Sequence, residues 1–192
     1  MIEAIAPHAN RIVFLAFYMH LPDIAQAVLS RLTFQFIKLI SFKFIMRDNE
    51  TRPPHFDLSR DQFPALRKIN LAHVDLLWLP SAFRSLVSLY LIELRDISPS
   101  ERPSLLSFLE ILQECPDLEN LCISGVFKTP ESTTTPHLRL SVSFSKFNSL
   151  MMFADRTAEA ACLLSHLSIP ARTIIMIIIP GVLSLMTRLC HI

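Results

Sequence analysis

LRKINL (66–71), LVSLYL (86–91) and LENLCI (118–123) spell one pattern, L-x-x-L-x-L, three times in the middle of the chain. Each copy is followed three residues on by another aliphatic side chain: Val74, Leu94 and Val126. The end of the pattern alternates apolar and polar residues. On a strand, that alternation sends successive side chains to opposite faces, so each copy predicts a short strand with one buried face. IVFLAF (12–17) and IKLISF (37–42) fit the same template, the second with Ile45 in the trailing position. The five starts, at 12, 37, 66, 86 and 118, lie 25, 29, 20 and 32 residues apart. Five copies in series exceed what chance gives in an apolar-rich chain.

Recurrence at this spacing is the signature of leucine-rich repeats, whose strands line up along one side of a stacked array at about 20–29 residues per repeat. The fold predicted is therefore α/β: an irregular leucine-rich-repeat solenoid, with short parallel strands on one face and helices or loops on the other. Its strands are expected near 12–17, 37–42, 66–71, 86–91, 118–123 and 173–179. The array is expected over residues 1–180, with an apolar tail over 181–192. Regular repeats place Asn or Cys where this chain has Val, Leu and Ile, so their side-chain hydrogen-bond ladder is expected to be missing.

A chain of 192 residues is long enough for one domain with a real core. Half of it is apolar (51%), 18% is charged and the mean hydropathy is +0.41. That composition keeps membrane insertion open as an alternative to a free-standing domain. The formal net charge of +1 gives no electrostatic case for nucleic acid or an anionic membrane as partner. Two glycines cannot build a phosphate cradle, whereas 13 prolines suit a succession of short elements. Cys115, Cys122, Cys162 and Cys190 match no small disulfide framework and read as reduced thiols of an intracellular protein. Residues 173–187 form a mostly apolar run broken by Pro180-Gly181. At 15 residues it is shorter than the roughly 20 that a spanning helix needs. Its Ile-rich first half suits a buried strand, and a membrane anchor is the alternative.

Several connecting segments are also legible. Pro22-Asp23 opens a short amphipathic helix over 21–32, with Ile24, Val28 and Leu32 on one face. Residues 47–61 are the most polar stretch and predict an exposed loop. Ser98-Pro-Ser-Glu101 has the spacing of a capping box, ahead of a helix whose face is Leu105, Phe108, Leu109 and Leu112 and which Pro116 ends. Past Val126 the pattern frays into a Thr/Pro-rich loop. Then come Leu138, Leu140 and Val142 in alternation, and a helix over 158–167 with Ala161, Leu164 and Ser165 along one side. The last residues lack the polar outer face that closes a solenoid, which implies that the array continues, is covered or is cut short.

FPALRKINLAHVDLLWLPSAFRSLVSLYLIEL followed by RDISPSERPSLLSFLEILQECPDLENLCISGV resembles the leucine-rich-repeat region of fungal F-box proteins. In that family a strand leads to a Pro/Ser-rich turn, then to a helix like SLLSFLEILQECP and a strand opened by P-x-L-E-x-L. The resemblance implies a substrate receptor for ubiquitin transfer, in which repeats hold the substrate and the F-box docks on the ligase adaptor. The F-box itself has no clear counterpart. Leu21 to Leu32 shares only its Leu-Pro start and lacks the tryptophan-bearing continuation. A ubiquitin-ligase adaptor is thus implied as partner only if an F-box exists upstream; a truncated, non-functional repeat fragment is the alternative.

No nucleotide, hydrolase or zinc-protease motif occurs, so no catalytic residue, cofactor or metal site is nominated. Cys115 and Cys122 are too widely spaced to pre-assemble a zinc tetrahedron. What is left is a surface, since the non-leucine positions of the repeats point away from the core. The expected concave, partner-binding face comprises Arg67, Lys68, Asn70, His73, Tyr90, Glu93, Glu119 and Asn120. Lys38, Ser41, Lys43, Ser88 and Cys122 lie beside them. Arg67 and Tyr90 are of the residue types most often found as interface hot spots. The expected partner is a protein.

Overall fold

The computed structural model describes residues 2–47, 52–92, 102–127, 140–154 and 157–179. In chain order, α1 (Ile2–Ile5) and a 3-10 turn (Ala6–Arg11) lead into β1 (Phe14–Met19), α2 (Pro22–Leu29) and β2 (Ser41–Met46). The short β3 (His55–Phe56) precedes β4 (Lys68–Ala72), β5 (Asp75–Leu76), a second 3-10 turn (Pro80–Phe83) and β6 (Ser88–Ile92). Then come α3 (Leu105–Gln113), β7 (Asn120–Ser124), β8 (Val142–Ser143) and β9 (Ser149–Phe153). The last described elements are α4 (Thr157–Leu164), β10 (Leu167–Ser168) and β11 (Ile174–Ile178).

Seven strands form one sheet in the order β1-β2-β4-β6-β7-β9-β11, and every pairing is parallel. Each strand therefore lies beside the previous large strand, and the described helices pack against one face. Register lines up Phe14, Ser41, Lys68, Ser88, Asn120, Ser149 and Ile174 across the sheet, in steps of 27, 27, 20, 32, 29 and 25 residues. One backbone arrangement marks most of those steps. The carbonyl of Val13 accepts from the amides of Ile40 and Ser41, and that of Ile40 accepts from Arg67 and Lys68. The carbonyl of Arg67 does the same for Val87 and Ser88, Val87 for Glu119 and Asn120, and Glu119 for Asn148 and Ser149. The chain thus enters each of these strands through the same bend. The backbone groups on either side of that bend are satisfied without a side-chain ladder.

The strand positions that the motif marks as apolar fill the covered face. Leu15 and Phe17, Phe42 and Phe44, Ile69 and Leu71, Leu89 and Leu91, Leu121 and Ile123, and Leu150 and Met152 are all buried in one continuous core. Under β2 and β4 that core is aromatic, with Phe36 stacked on Phe63 and Phe42 stacked on both Phe56 and Phe63, at 5.2–5.8 Å between centroids. Phe108 and Phe127 stack at 5.6 Å beneath the later strands. Ser104 begins α3 with its Oγ accepting from the Ser107 amide, and the Arg84–Glu114 ion pair (2.8 Å) ties the helix end to the turn before β6. Cys115 closes that end, its thiol donating to the Phe83 carbonyl at 3.0 Å.

Several sequence expectations need correction. The second strand is Ser41–Met46, so its repeat frame is Leu39, Phe42 and Phe44, two residues later than IKLISF implies; Ile37 and Ile40 are exposed. The run alternates apolar residues from Ile37 to Phe44, and a slip of two keeps every side chain on its face, so the pattern alone fits both frames. Strand β9 was not expected. Phe147, Leu150 and Met152 supply the same frame with bulkier residues, and all three are buried.

The polar segment 47–61 is not a loop standing clear of the core, for Pro54, Phe56 and Leu58 are buried and His55–Phe56 is a strand paired with β5. In α2 the buried face is Ala25, Val28 and Leu29, while Ile24 is exposed. In α4 it is Glu159, Ala160 and Leu163 rather than Ala161, Leu164 and Ser165. Residues 174–178 are a strand but not a buried one: as the last described strand of the sheet, it leaves Ile174 and Ile178 exposed. Among the described residues no helix is long and apolar enough to cross a membrane. The capping box at 98–101 and the tail 181–192 lie outside the described residues.

Candidate binding face

Alternation along each strand leaves the opposite face of the sheet to the remaining side chains, and register arranges them in three rows. The first row is Phe14, Ser41, Lys68, Ser88, Asn120, Ser149 and Ile174. The second is Ala16, Lys43, Asn70, Tyr90, Cys122, Met151 and Met176. The third holds Tyr18, Ile45, Ala72 and Ile92 on one side and Ser124, Phe153 and Ile178 on the other. At the two margins these side chains are in solvent: Phe14 is 61% exposed, Tyr18 54% and Ile174 66%.

The centre of the first row is held by its own hydrogen bonds. Ser149 Oγ donates to Asn120 Oδ1 at 2.8 Å, and Asn120 Nδ2 donates to Ser88 Oγ at 3.3 Å. Three strands are thereby locked at one level, and their side chains are pre-ordered. In the second row Lys43 Nζ sits 5.0 Å from the centroid of the Tyr18 ring, a cation–π contact that pins a long side chain across two strands. Asn70 Oδ1 is buried and without a hydrogen-bond partner among the described residues. Tyr90 lies between Asn70 and Cys122, half-buried.

Along β7 the face is low. Asn120, Cys122 and Ser124 are small, and Cys122 is only 3% exposed between the larger Tyr90 and Met151. Burial pushes its thiol up to about 11, and that of Cys115 to about 12, so neither is a nucleophile at neutral pH. Cys162, less buried, is raised by the same cause. The three described cysteines are unpaired.

The residues nominated from sequence divide by position. Lys68, Asn70, Tyr90 and Asn120 are on the open face, with Ser41, Lys43, Ser88 and Cys122 beside them. Arg67 and Glu119 sit one residue before their strands, at the rim where their carbonyls receive the next strand. Arg67 donates from its guanidinium to the Ser85 carbonyl at 3.0 Å. Lys38 also precedes its strand. His73 is a correction: it is 4% exposed, with a left-handed backbone (φ 51°) and an amide that donates to the Ile92 carbonyl. It turns the chain out of β4 and offers nothing to a partner; a buried side chain in that conformation is held by tertiary packing. Glu93 lies outside the described residues.

Sequence reasoning missed the later half of the face: Met151 and Phe153 because the β9 frame was not recognised, and Met176 and Ile178 because the run at 173–179 reads as a buried strand. The signal was present in the spacing of Phe147, Leu150 and Met152. The described strand positions of the open face run from basic on β2 and β4 to apolar on β9 and β11.

A second depression, of about 570 Å³, lies on the helical side between α2 and the segment around β3. At its edge His55 Nδ1 is 3.0 Å from Asp75 Oδ2, and Gln26 exchanges hydrogen bonds with both backbone groups of His55. These contacts fasten β3 to β5 and α2. Among the described residues no three His, Cys, Asp or Glu side chains converge as metal ligands.

Comparison with protein-family models, curated proteins and solved structures finds no match to this chain.

Proposed function

We propose that the chain is an irregular leucine-rich-repeat array that binds a protein partner on the open face of its parallel sheet. The observation that carries this reading is the pairing of strict strand succession with a face that no described helix covers. Seven parallel strands follow one another in chain order, and the described helices join the core on the opposite side. Repeat arrays of that kind present one continuous strand surface and use it for recognition. The side chains there support the same use: Tyr90, Lys68, Lys43 and Asn120 sit at the centre, partly pre-ordered by the Tyr18 and Ser88–Asn120–Ser149 contacts. The resemblance of residues 63–126 to fungal F-box receptors makes a substrate of ubiquitin transfer the partner class to test first.

A photo-crosslinking residue at Tyr90, compared with one at the exposed Ala27 of α2, tests the face in the native cell. Discrete protein adducts from position 90 and none from position 27 support the reading. Equal adducts from both positions, or none, overturn it. The ligase role is tested separately by reading the transcript's 5′ end. An in-frame F-box upstream supports a substrate receptor; its absence leaves a stand-alone binding module.

A further inference from the structure

Building on the reading of the open face as a binding surface, we infer that its ligand is an extended acidic–apolar peptide segment. The segment crosses the strands with an apolar side chain over Cys122 and a carboxylate over Lys68 and Lys43.

The charge distribution supports this first. Of all the open-face positions on the seven strands, only Lys43 and Lys68 are charged, and none is Asp or Glu. The exposed Arg47 continues the same alternation just beyond β2, and Arg67 and Lys38 border the same two strands. Glu119 is at the opposite side of the rim, where its charge acts on Lys146. A partner bearing Lys or Arg meets repulsion here, and one bearing carboxylates is drawn to β2 and β4.

Shape supports it second. The small side chains of β7 leave the face low there: Cys122, 3% exposed, lies between the half-buried Tyr90 and Met151, with the polar Asn120 and Ser124 at the two ends of this trough. An apolar side chain seated over Cys122 therefore rests on one aromatic and one thioether flank. Beyond it Met151, Met176 and Phe153 continue an uncharged surface, and methionines adapt to different apolar shapes.

Spacing joins the two. Neighbouring strands are about 4.8 Å apart, so Lys68 is about 10 Å and Lys43 about 14 Å from the trough, measured across the sheet. An extended chain rises about 3.3 Å per residue and alternates its side chains, so anchor and carboxylate face the sheet together at an even spacing, which sets the carboxylate about four residues from the apolar anchor. The inference fixes that spacing and sign but leaves the peptide direction open.

The test uses the full chain displayed against a random twelve-residue peptide library. The wild-type protein is expected to enrich Asp or Glu about four positions from an aliphatic or aromatic residue. Lys43→Glu/Lys68→Glu should weaken the selected peptides about tenfold or more and, in a fresh selection, replace acidic by basic residues at the same spacing. Both lysines are on the solvent side of the sheet, and an unchanged circular dichroism spectrum confirms the fold. Met151→Asp should weaken the same peptides while leaving the acidic preference in place.

Peptides that need Met151 but show no charge preference, or keep it after the lysine reversal, overturn the acidic–apolar assignment while the face survives as a binding surface. Peptides indifferent to all three substitutions, or no enrichment, overturn both. Binding of the protein to anionic lipid vesicles in preference to every selected peptide also overturns the inference.

Discussion

Leu71 and Asn70 are neighbours on one strand and belong to two different surfaces. On the covered side, Leu71 joins a core in which each strand contributes large side chains to a shared interior. On the open side, Asn70 has Lys43 and Tyr90 as its row neighbours and faces away from that interior. The difference shows how one hexapeptide pattern does two jobs. Its leucine positions hold the strands together and tolerate little change, whereas its exposed variable positions, such as Lys68, leave the fold almost indifferent and are free to set what is bound.

The largest expected contrast is therefore between the covered side and the open side of the sheet. Leu89→Ala or Phe108→Ala, both from fully buried sites, should lower unfolding free energy by about 3–5 kcal/mol in urea titrations. Lys68→Ala on the open side should change it by less than about 0.5 kcal/mol. Equal losses from the two faces would break the comparison.

Thiol chemistry offers a second view of the same division. Burial disfavours the thiolate, so iodoacetamide should modify Cys162 in the native protein well before Cys122, and Cys115 only after unfolding. Peptide mapping reads the order directly. Early modification of Cys122 would mean that the trough opens on its own.

A smaller effect is expected at the edge of the core. Ser104→Ala removes the hydroxyl that caps α3 and should cost about 1 kcal/mol, most of it recovered by Ser104→Asp.

The smallest effect belongs to the rim. Lys146 donates to Asp117 at 2.7 Å, and that hydrogen bond holds the Asp117 carboxyl below its ordinary range and raises Lys146. The carboxylate side of this pair contributes above the unfolded carboxylate pKa and is lost as pH falls through the folded one. The lysine side contributes below the unfolded ammonium pKa and is lost as pH rises through the folded one. Because both groups are exposed, Asp117→Asn should return the Lys146 ammonium toward its usual titration by NMR with little change in melting.

How much of this was legible follows from what each residue has to satisfy. The repeats at 66, 86 and 118 read directly, because a single apolar frame fits them and Leu, Ile and Val fill it. The frame at Leu39 was missed by two residues, since apolar alternation from Ile37 onward looks the same after a slip of two. The β9 frame was hidden by its chemistry: Phe147 and Met152 do the work that leucine does elsewhere, next to a half-buried Met151. Helix faces were displaced because Ile24 is apolar yet exposed and Glu159 is charged yet buried, a choice made by tertiary neighbours rather than by composition. His73 was misplaced on the site. Counting it as a non-leucine position puts it on the open face, whereas it has the parity of the core residues Ile69 and Leu71 and its left-handed turn ends the strand there.

The common bend that starts successive strands has a mechanical consequence. Every strand of the large sheet bonds only to the one before it and the one after it, so no central strand ties distant parts of the chain together. Pulled by its two ends, such a chain is loaded in series. It should give way as a run of small force peaks, each releasing one strand and its connection, and the lengths released should track the uneven 20- to 32-residue steps of the register.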